Sequence, residues 1–449
     1  MEPKPDEKEN GRSPAPRQNF PTNGDHDLVL VPSLALSNGV PEPVASTSTT
    51  PDGGSVAWMA VLACFLTIMN TWGIIISFGA FQTYYVSNLH RSRSDISWVG
   101  SIAVFLLFFT GIISGRLTDA GYFRITTIAG AFLVVLGTFM TSLAHTYWQI
   151  LLAQGVCTGL GNGLLLTPMM TLIATYFERR LALVMGIAAC GSTTGGLIYP
   201  SMVRTLLPAI GFEWTMRAIG FIQLGTFAIA LASGVPRQTS KNPGPIMDWS
   251  VFRACEFTFY LIGAFLAFLG VFFPFFFLNS YAREKQGLSY TDSLNLTLVL
   301  NGIGFVARLL PSLIAKYVGT MNVFIAFLFS SALCMFTWIP VHSTAGLYTW
   351  TTFYSLSVGG VQSLFLAVAT IICSDMSKIG AQLGIISAAV GVGALLGSPI
   401  SGAIISLNEG SYTGAQAFSG STLIVGGLFV LAAREVKRRQ QQEGLWIKL

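Results

Sequence analysis

Charge is what this 449-residue chain has least of: 10% of residues are Asp, Glu, Lys or Arg, against 52% hydrophobic. A water-exposed surface is about a quarter to a third charged, so an ordinary soluble globule is excluded. Histidine is scarcer still. His26, His90, His145 and His342 lie far apart, which argues against an enzyme with a His-centred catalytic cluster within the membrane. The six cysteines, Cys64, Cys157, Cys190, Cys255, Cys334 and Cys373, stand singly in apolar sequence with no C-x-x-C pair. Neither a metal centre nor a disulfide framework is expected, and the thiols read as small buried apolar groups. The net charge of +5 is not gathered on any segment large enough to make a nucleic-acid module. No catalytic residue, cofactor or nucleic-acid partner is therefore expected.

What the chain does have is long apolar stretches. Crossing about 30 Å of hydrocarbon takes roughly 20 apolar residues as a helix. Twelve such spans follow one another from Ala57, at 57–82, 96–115, 125–144, 148–175, 181–203, 215–235, 253–280, 292–315, 321–341, 346–373, 380–406 and 414–433. The expectation is an all-α polytopic membrane protein with twelve transmembrane helices in a lipid bilayer. One polar interruption is longer than the rest. Residues 236–252, with Arg237, Lys241, Pro243, Gly244, Pro245 and Asp248, divide the spans into two six-helix bundles, 51–235 and 253–433. Residues 1–50, rich in proline and with no continuous apolar run, read as a disordered cytosolic tail, and 434–449 as a second, short one.

Orientation comes from Lys and Arg. With the first tail inside, Arg116, Arg124, Arg179, Arg180, Arg237, Lys241, Lys316, Lys378 and the cluster Arg434, Lys437, Arg438, Arg439 are cytosolic. The opposite side holds fewer, Arg91, Arg93, Arg204, Arg283 and Lys285. Both termini are expected in the cytosol. No retention signal appears in Trp446–Leu449, which makes the plasma membrane the default location.

Several segments carry a family resemblance. Gly115-Arg116-Leu117-Thr118-Asp119-Ala120-Gly121-Tyr122-Phe123-Arg124 looks like the loop between helices 2 and 3 of the major facilitator superfamily. Pro51-Asp52-Gly53-Gly54-Ser55-Val56-Ala57-Trp58 resembles the D-G-G-x-x-x-W motif of its monocarboxylate porter family, and Tyr176 to Ala182, continuing to Gly196, resembles that family's helix 4 to 5 connection. Asn70-Thr71-Trp72-Gly73, Ser77-Phe78-Gly79, Gln82 to Tyr85 and Gly380 to Ala403 are similar to its fungal members. The resemblance implies the two-bundle major facilitator fold, alternating access, and a small organic acid or amphipathic metabolite as cargo. It also implies a conformational latch at Asp119, with Arg124 and Gly115. The other reading of those residues is a solvated charged turn.

The departures matter. No charged residue occurs between Ala57 and Tyr85, where lactate-type members of the family carry a Lys, and Gly304 stands where they place an Asp before the Arg corresponding to Arg308. The helix 4 Arg of drug antiporters is also absent, that segment reading Ile150-Leu151-Leu152-Ala153 before Gln154. The proton-linked lactate mechanism is therefore not carried over. Symport with a proton and facilitated diffusion both stay open, and the cargo shifts toward a larger compound such as an exported secondary metabolite.

Arg308 is the charge placed deepest within a span, at a cost of at least about 2.5–3.5 kcal/mol unless it is wetted or paired. It is expected to face a cavity and to anchor an anionic group through its planar fork of donors. The alternative is a structural Arg holding carbonyls of a broken helix. Asn301, Asn70, Asn162 and Tyr354 complete the candidate substrate site, with Gln82, Gln154, Tyr199, Tyr260 and Gln362 as further cavity candidates; each could instead join helices. Phe272-Phe273-Pro274-Phe275-Phe276-Phe277 reads as a lipid or interface belt kinked at its Pro, or as a stacking surface for an aromatic cargo. The pairs Gly111/Gly115, Gly159/Gly163, Gly191/Gly195 and Gly393/Gly397 predict close helix crossings. A non-transporting sensor is the rival class, with two short tails as its only signalling parts. Oligomeric state is not encoded in any of these patterns.

Overall fold

The structure is a computed structural model that describes residues 53–177, 180–236, 249–373 and 379–440. The expected tail over 1–50, most of the connection between the halves and the end of the C-terminal tail lie outside them. Every regular element among the described residues is a helix. In chain order these are α1 (Ser55–Ile76, continued by Phe78–Leu89), α2 (Arg93–Asp119), α3 (Phe123–Ser142), α4 (Tyr147–Tyr176), and α5 and α6, which are the two arms of Leu181–Ser233. There follow α7 (Cys255–Val271 and Phe273–Gln286), α8 (Tyr290–Gly302 and Gly304–Val318), α9 (Thr320–Trp338), α10 (Thr344–Ile372), α11 (Ile379–Leu407) and α12 (Thr413–Gln440). The twelve expected spans are all present. The gap expected between the fifth and sixth is nearly closed, because a single residue, Gly211 at φ 77°, parts α5 from α6. Only glycine enters that backbone region freely.

The two halves, α1–α6 and α7–α12, are built alike. Their first helices are both interrupted, α1 at Ser77 and α7 at Phe272, where Pro274 at the start of the following piece removes a backbone donor. Their second helices begin with the same cap. Ser92 accepts from the Asp95 backbone at 3.0 Å, and Ser289 from that of Asp292 at 3.0 Å, each with an acid at the positive helix end. Their first and fifth helices cross on paired glycines. A Cβ at Gly195 would lie 2.8 Å from Gly73 Cα, and one at Gly397 would lie 3.1 Å from Leu269 Cα. No side chain fits either crossing, so Gly191/Gly195 and Gly393/Gly397 set the helix separation as the spacing predicted.

Between the halves, α2 packs along α11, α5 along α8, and the second pieces of α1 and α7 on each other. The aromatic run departs from its expected place on a lipid belt. Phe272, Phe273, Phe275, Phe276 and Phe277 are all buried. Phe276 lies 5.0 Å from Phe78 of the opposite half, and Phe272 stacks on Trp72 at 6.5 Å. The Pro-centred break turns these rings inward, Phe272 and Phe276 onto the other half and Phe273 and Phe275 onto Trp338 and Tyr354 of their own, instead of outward into lipid. Ile125, Ile128, Phe132, Leu313 and Phe353 are among the large apolar side chains that do face out. α12 also runs past the boundary expected at 433, as far as Gln440, whose amide donates to Glu256 at 2.9 Å.

Candidate functional site

The tryptophan of the entry motif, Trp58 in the first turn of α1, has a structural use: it packs edge-on against Phe177 at 5.8 Å, closing the start of α1 onto the end of α4. This is the end of the molecule where the described chain starts and stops, called here the termini end, and its opposite the far end.

Arg308 sits deep between the two ends and between the two halves. The residue as a whole is only 9% exposed. Nη1 donates to Thr193 Oγ1 of α5 at 2.6 Å and to the Gly304 carbonyl of its own helix at 3.3 Å, while Nη2 donates to Gln362 Oε1 of α10 at 3.2 Å. Both halves thus hold one cation. All three acceptors are neutral, and among the described residues no carboxylate pairs with it. Gly304 makes the arrangement sterically possible, because a Cβ there would lie 2.6 Å from Nη1 and 3.2 Å from Thr193 Oγ1. The glycine at 304 is therefore what lets the guanidinium fold back onto its helix. The Gln362 amide, turned so that its oxygen meets Arg308, leaves Nε2 buried and without a partner.

About two turns earlier on α8, Asn301 also bridges the halves, its Nδ2 donating to the Gly196 carbonyl at 2.9 Å. Of the five residues of the expected substrate site, Arg308 and Asn301 are thus brought to one seam, opposite Thr193 and Gly196 of α5, and Gln362, a further cavity candidate, joins them through Arg308. The other three stand elsewhere. Asn70 lies inside the first half, where its Nδ2 donates to Leu66 O and Thr226 Oγ1, both at 2.8 Å, and its oxygen accepts from Tyr199. Tyr354 is fully buried in the second half and donates to the Val271 carbonyl at 2.7 Å, beside the break of α7. Asn162 is fully buried with both amide atoms unpartnered. A buried amide in that condition costs about 1–3 kcal/mol.

Gln154 lies in a π-helical stretch of α4, Leu151–Cys157, and accepts from Tyr85 at 2.6 Å. At the termini end, Asp119 closes α2 and Arg124 opens α3, both exposed. A Cβ at Gly115 would touch Thr167 of α4 at 3.3 Å, so this glycine sets the α2–α4 distance. A cavity of about 360 Å³ opens at the far end of the first half, among Tyr84, Asn88, His145, Phe212, Glu213 and Trp214. Among the described residues no cluster of three His, Cys, Asp or Glu side chains is placed to hold a metal.

Thr193 was not singled out from sequence. Its signal is weak: one β-hydroxyl within the Gly191–Gly196 stretch, whose role shows only when α5 lies against α8.

Residues 63–378 match the family model described as Major Facilitator Superfamily. The chain is 43% identical to an MFS-type transporter of Gibberella zeae, covering 90% of this chain and 92% of the relative. It is 35% identical to an MFS-type transporter of Emericella nidulans, over 85% of this chain and 87% of that protein. A third relative, an aspyridones efflux protein of Emericella nidulans, is 32% identical over 88% of this chain and 81% of its own. These are transporters, not enzymes. With two like halves joined across a buried cationic seam, and with relatives aligned over most of their length, the chain belongs to the Major Facilitator Superfamily.

Proposed function

We propose that the protein carries a small organic acid or amphipathic metabolite across a membrane by alternating access, and that the cargo's anionic group docks on Arg308. The observation that carries this reading is a deeply buried Arg308 shared by both halves with no carboxylate beside it among the described residues. A cation in that position is costly unless something neutralises it, and an anionic cargo supplies the missing charge. The unpartnered Nε2 of Gln362 adds a neutral donor to the same place. Asn301 forms the adjoining wall. Asn70 and Tyr354 serve the site from behind by joining helices within their own halves, and Asn162 is the one whose amide is unspent. Asp119, Arg124 and Gly115 act as the conformational latch at the cytosolic side, with both termini in the cytosol and the plasma membrane as the site of action.

The absence of a charge along α1 separates this chain from lactate-type monocarboxylate porters while keeping their general plan. Export is the favoured direction, because one relative is named as an efflux protein for a secondary metabolite. The test compares metabolites inside cells and in the medium for strains lacking and overproducing the protein. An organic anion that moves to the medium in proportion to the protein supports the proposal; a cargo that is cationic at neutral pH refutes it.

A further inference from the structure

Three of the ion pairs among the described residues lie within one helix: Arg217 with Glu213, and Arg438 and Arg439 with Glu435. The fourth joins the halves. Arg93, the first residue of α2, meets Glu284 of α7 at 2.6 Å, at the far end. The same carboxylate oxygen accepts from the Tyr412 hydroxyl at 3.0 Å, on the connection between α11 and α12. One oxygen thus gathers three elements from both halves.

Around it the seam is closed by short polar contacts and large rings. Ser94 donates to the Pro399 carbonyl at 2.9 Å, Tyr290 to the Ala80 carbonyl at 3.1 Å, and Thr83 and Ser280 lie 3.4 Å apart. Toward the termini end the halves also meet through apolar side chains: a Cβ added at Gly384 would lie 3.4 Å from Ile112, and one at Gly186 would lie 3.2 Å from Leu309. Burial pushes the Tyr412 phenol well above its ordinary value, so it stays a donor to Glu284 throughout the physiological range.

We propose that Arg93, Glu284 and Tyr412 form the lock of the far-side gate: the triad is intact in the state seen here, and its rupture is required for the halves to part at the far end. The inference rests on the family's alternating access and not on the identity or charge of the cargo. A carboxylate between a guanidinium and a phenol is compact when the halves meet, and each group returns to water when they separate, so the triad tilts the balance without fixing it.

The test needs no cargo. In the full-length protein in native membranes, Thr83→Cys and Ser280→Cys place two thiols across the far seam, where the native hydroxyls are 3.4 Å apart. A protease site inserted between the halves lets denaturing electrophoresis after cleavage report whether a disulfide holds them together. Each single-cysteine variant controls for native thiols. Adding E284Q is expected to lower the ratio of far-closed to far-open protein by about 5- to 30-fold, the change that one or two kcal/mol produces in such a ratio, and the oxidative cross-linking rate is expected to fall with it. Y412F is expected to lower it less, because the ion pair remains. The charge exchange R93E with E284R is expected to restore the rate. Unchanged cross-linking in E284Q overturns the proposal, as does a fall that the charge exchange fails to reverse, since a merely loosened far end would respond alike to both. Should E284Q fail to reach the membrane, R93Q replaces it with the same expected outcome.

Discussion

Replacing Arg308 by Met separates the energetics of the fold from those of the cargo. Met keeps much of the unbranched stem and deletes the charge. The fold loses three hydrogen bonds from an ionised donor, to Thr193, Gly304 and Gln362. Bonds to charged groups contribute about 1.5–3 kcal/mol each. It also sheds a membrane-embedded cation that costs at least about 2.5–3.5 kcal/mol. The lost bonds, about 4.5–9 kcal/mol together, outweigh that relief in part, so the variant is expected to reach the membrane at a lower level than the parent. The cargo has no such compensation. Removing one partner of a buried charge pair costs about 3–5 kcal/mol, and at 1.4 kcal/mol per decade this weakens binding by about 100- to 3000-fold. Arg308→Lys keeps the charge without the planar fork and is expected to fall between the two. The assay is flux of the anion found by metabolite comparison, in vesicles matched for protein level. Flux by R308M within threefold of the parent refutes the assignment of Arg308 to the cargo.

Thr193→Val removes the first-half acceptor of Arg308 while keeping the side chain's shape, and is expected to raise the apparent affinity for the anion several-fold, because the guanidinium no longer has to leave an internal partner; flux against cargo concentration reads this. Gly73→Leu is expected to abolish surface expression, since a Cβ alone would lie 2.6 Å from Gly195 Cα, and fluorescence of a tagged protein reports it. Tyr199→Phe breaks the bond to Asn70 and is expected to destabilise by about 1–3 kcal/mol, measured as a lowered melting temperature in detergent. The Tyr412 phenol is raised in the folded protein by burial. Its contribution to stability is therefore fully present below the unfolded value of about 10 and declines as pH rises toward the folded one. Melting temperatures of the parent and Y412F across alkaline pH are expected to converge.

The spans were legible because lipid leaves the backbone no option but helix, so apolar length alone marks them. The glycine pairs were legible for a similar reason: at a tight crossing the absence of a side chain is the signal. What stayed hidden depends on cross-half geometry. Phe272 to Phe277 carries the composition of an interface belt, and only the break in α7 turns it inward. Arg93 read as a topology charge at a helix end; its match with Glu284 spans 191 positions in sequence and no periodicity links them. Arg308 stood out by its depth, yet its neutral partners Thr193 and Gln362 lie on helices far away in the chain. The departure at Gly304 was visible as a missing acid, and its positive use, making room for the guanidinium, was not.

The bend at Gly211 has a mechanical consequence. With a single residue as elbow, α5 and α6 have no slack between them, so the arm that carries Thr193 cannot tilt without swinging its neighbour, in the manner of a crank. Phe212, which stacks on Tyr84 at 4.9 Å, rides on that elbow at the rim of the far-end cavity. A displacement begun at the cation seam would thus be delivered as a change in the shape of that rim.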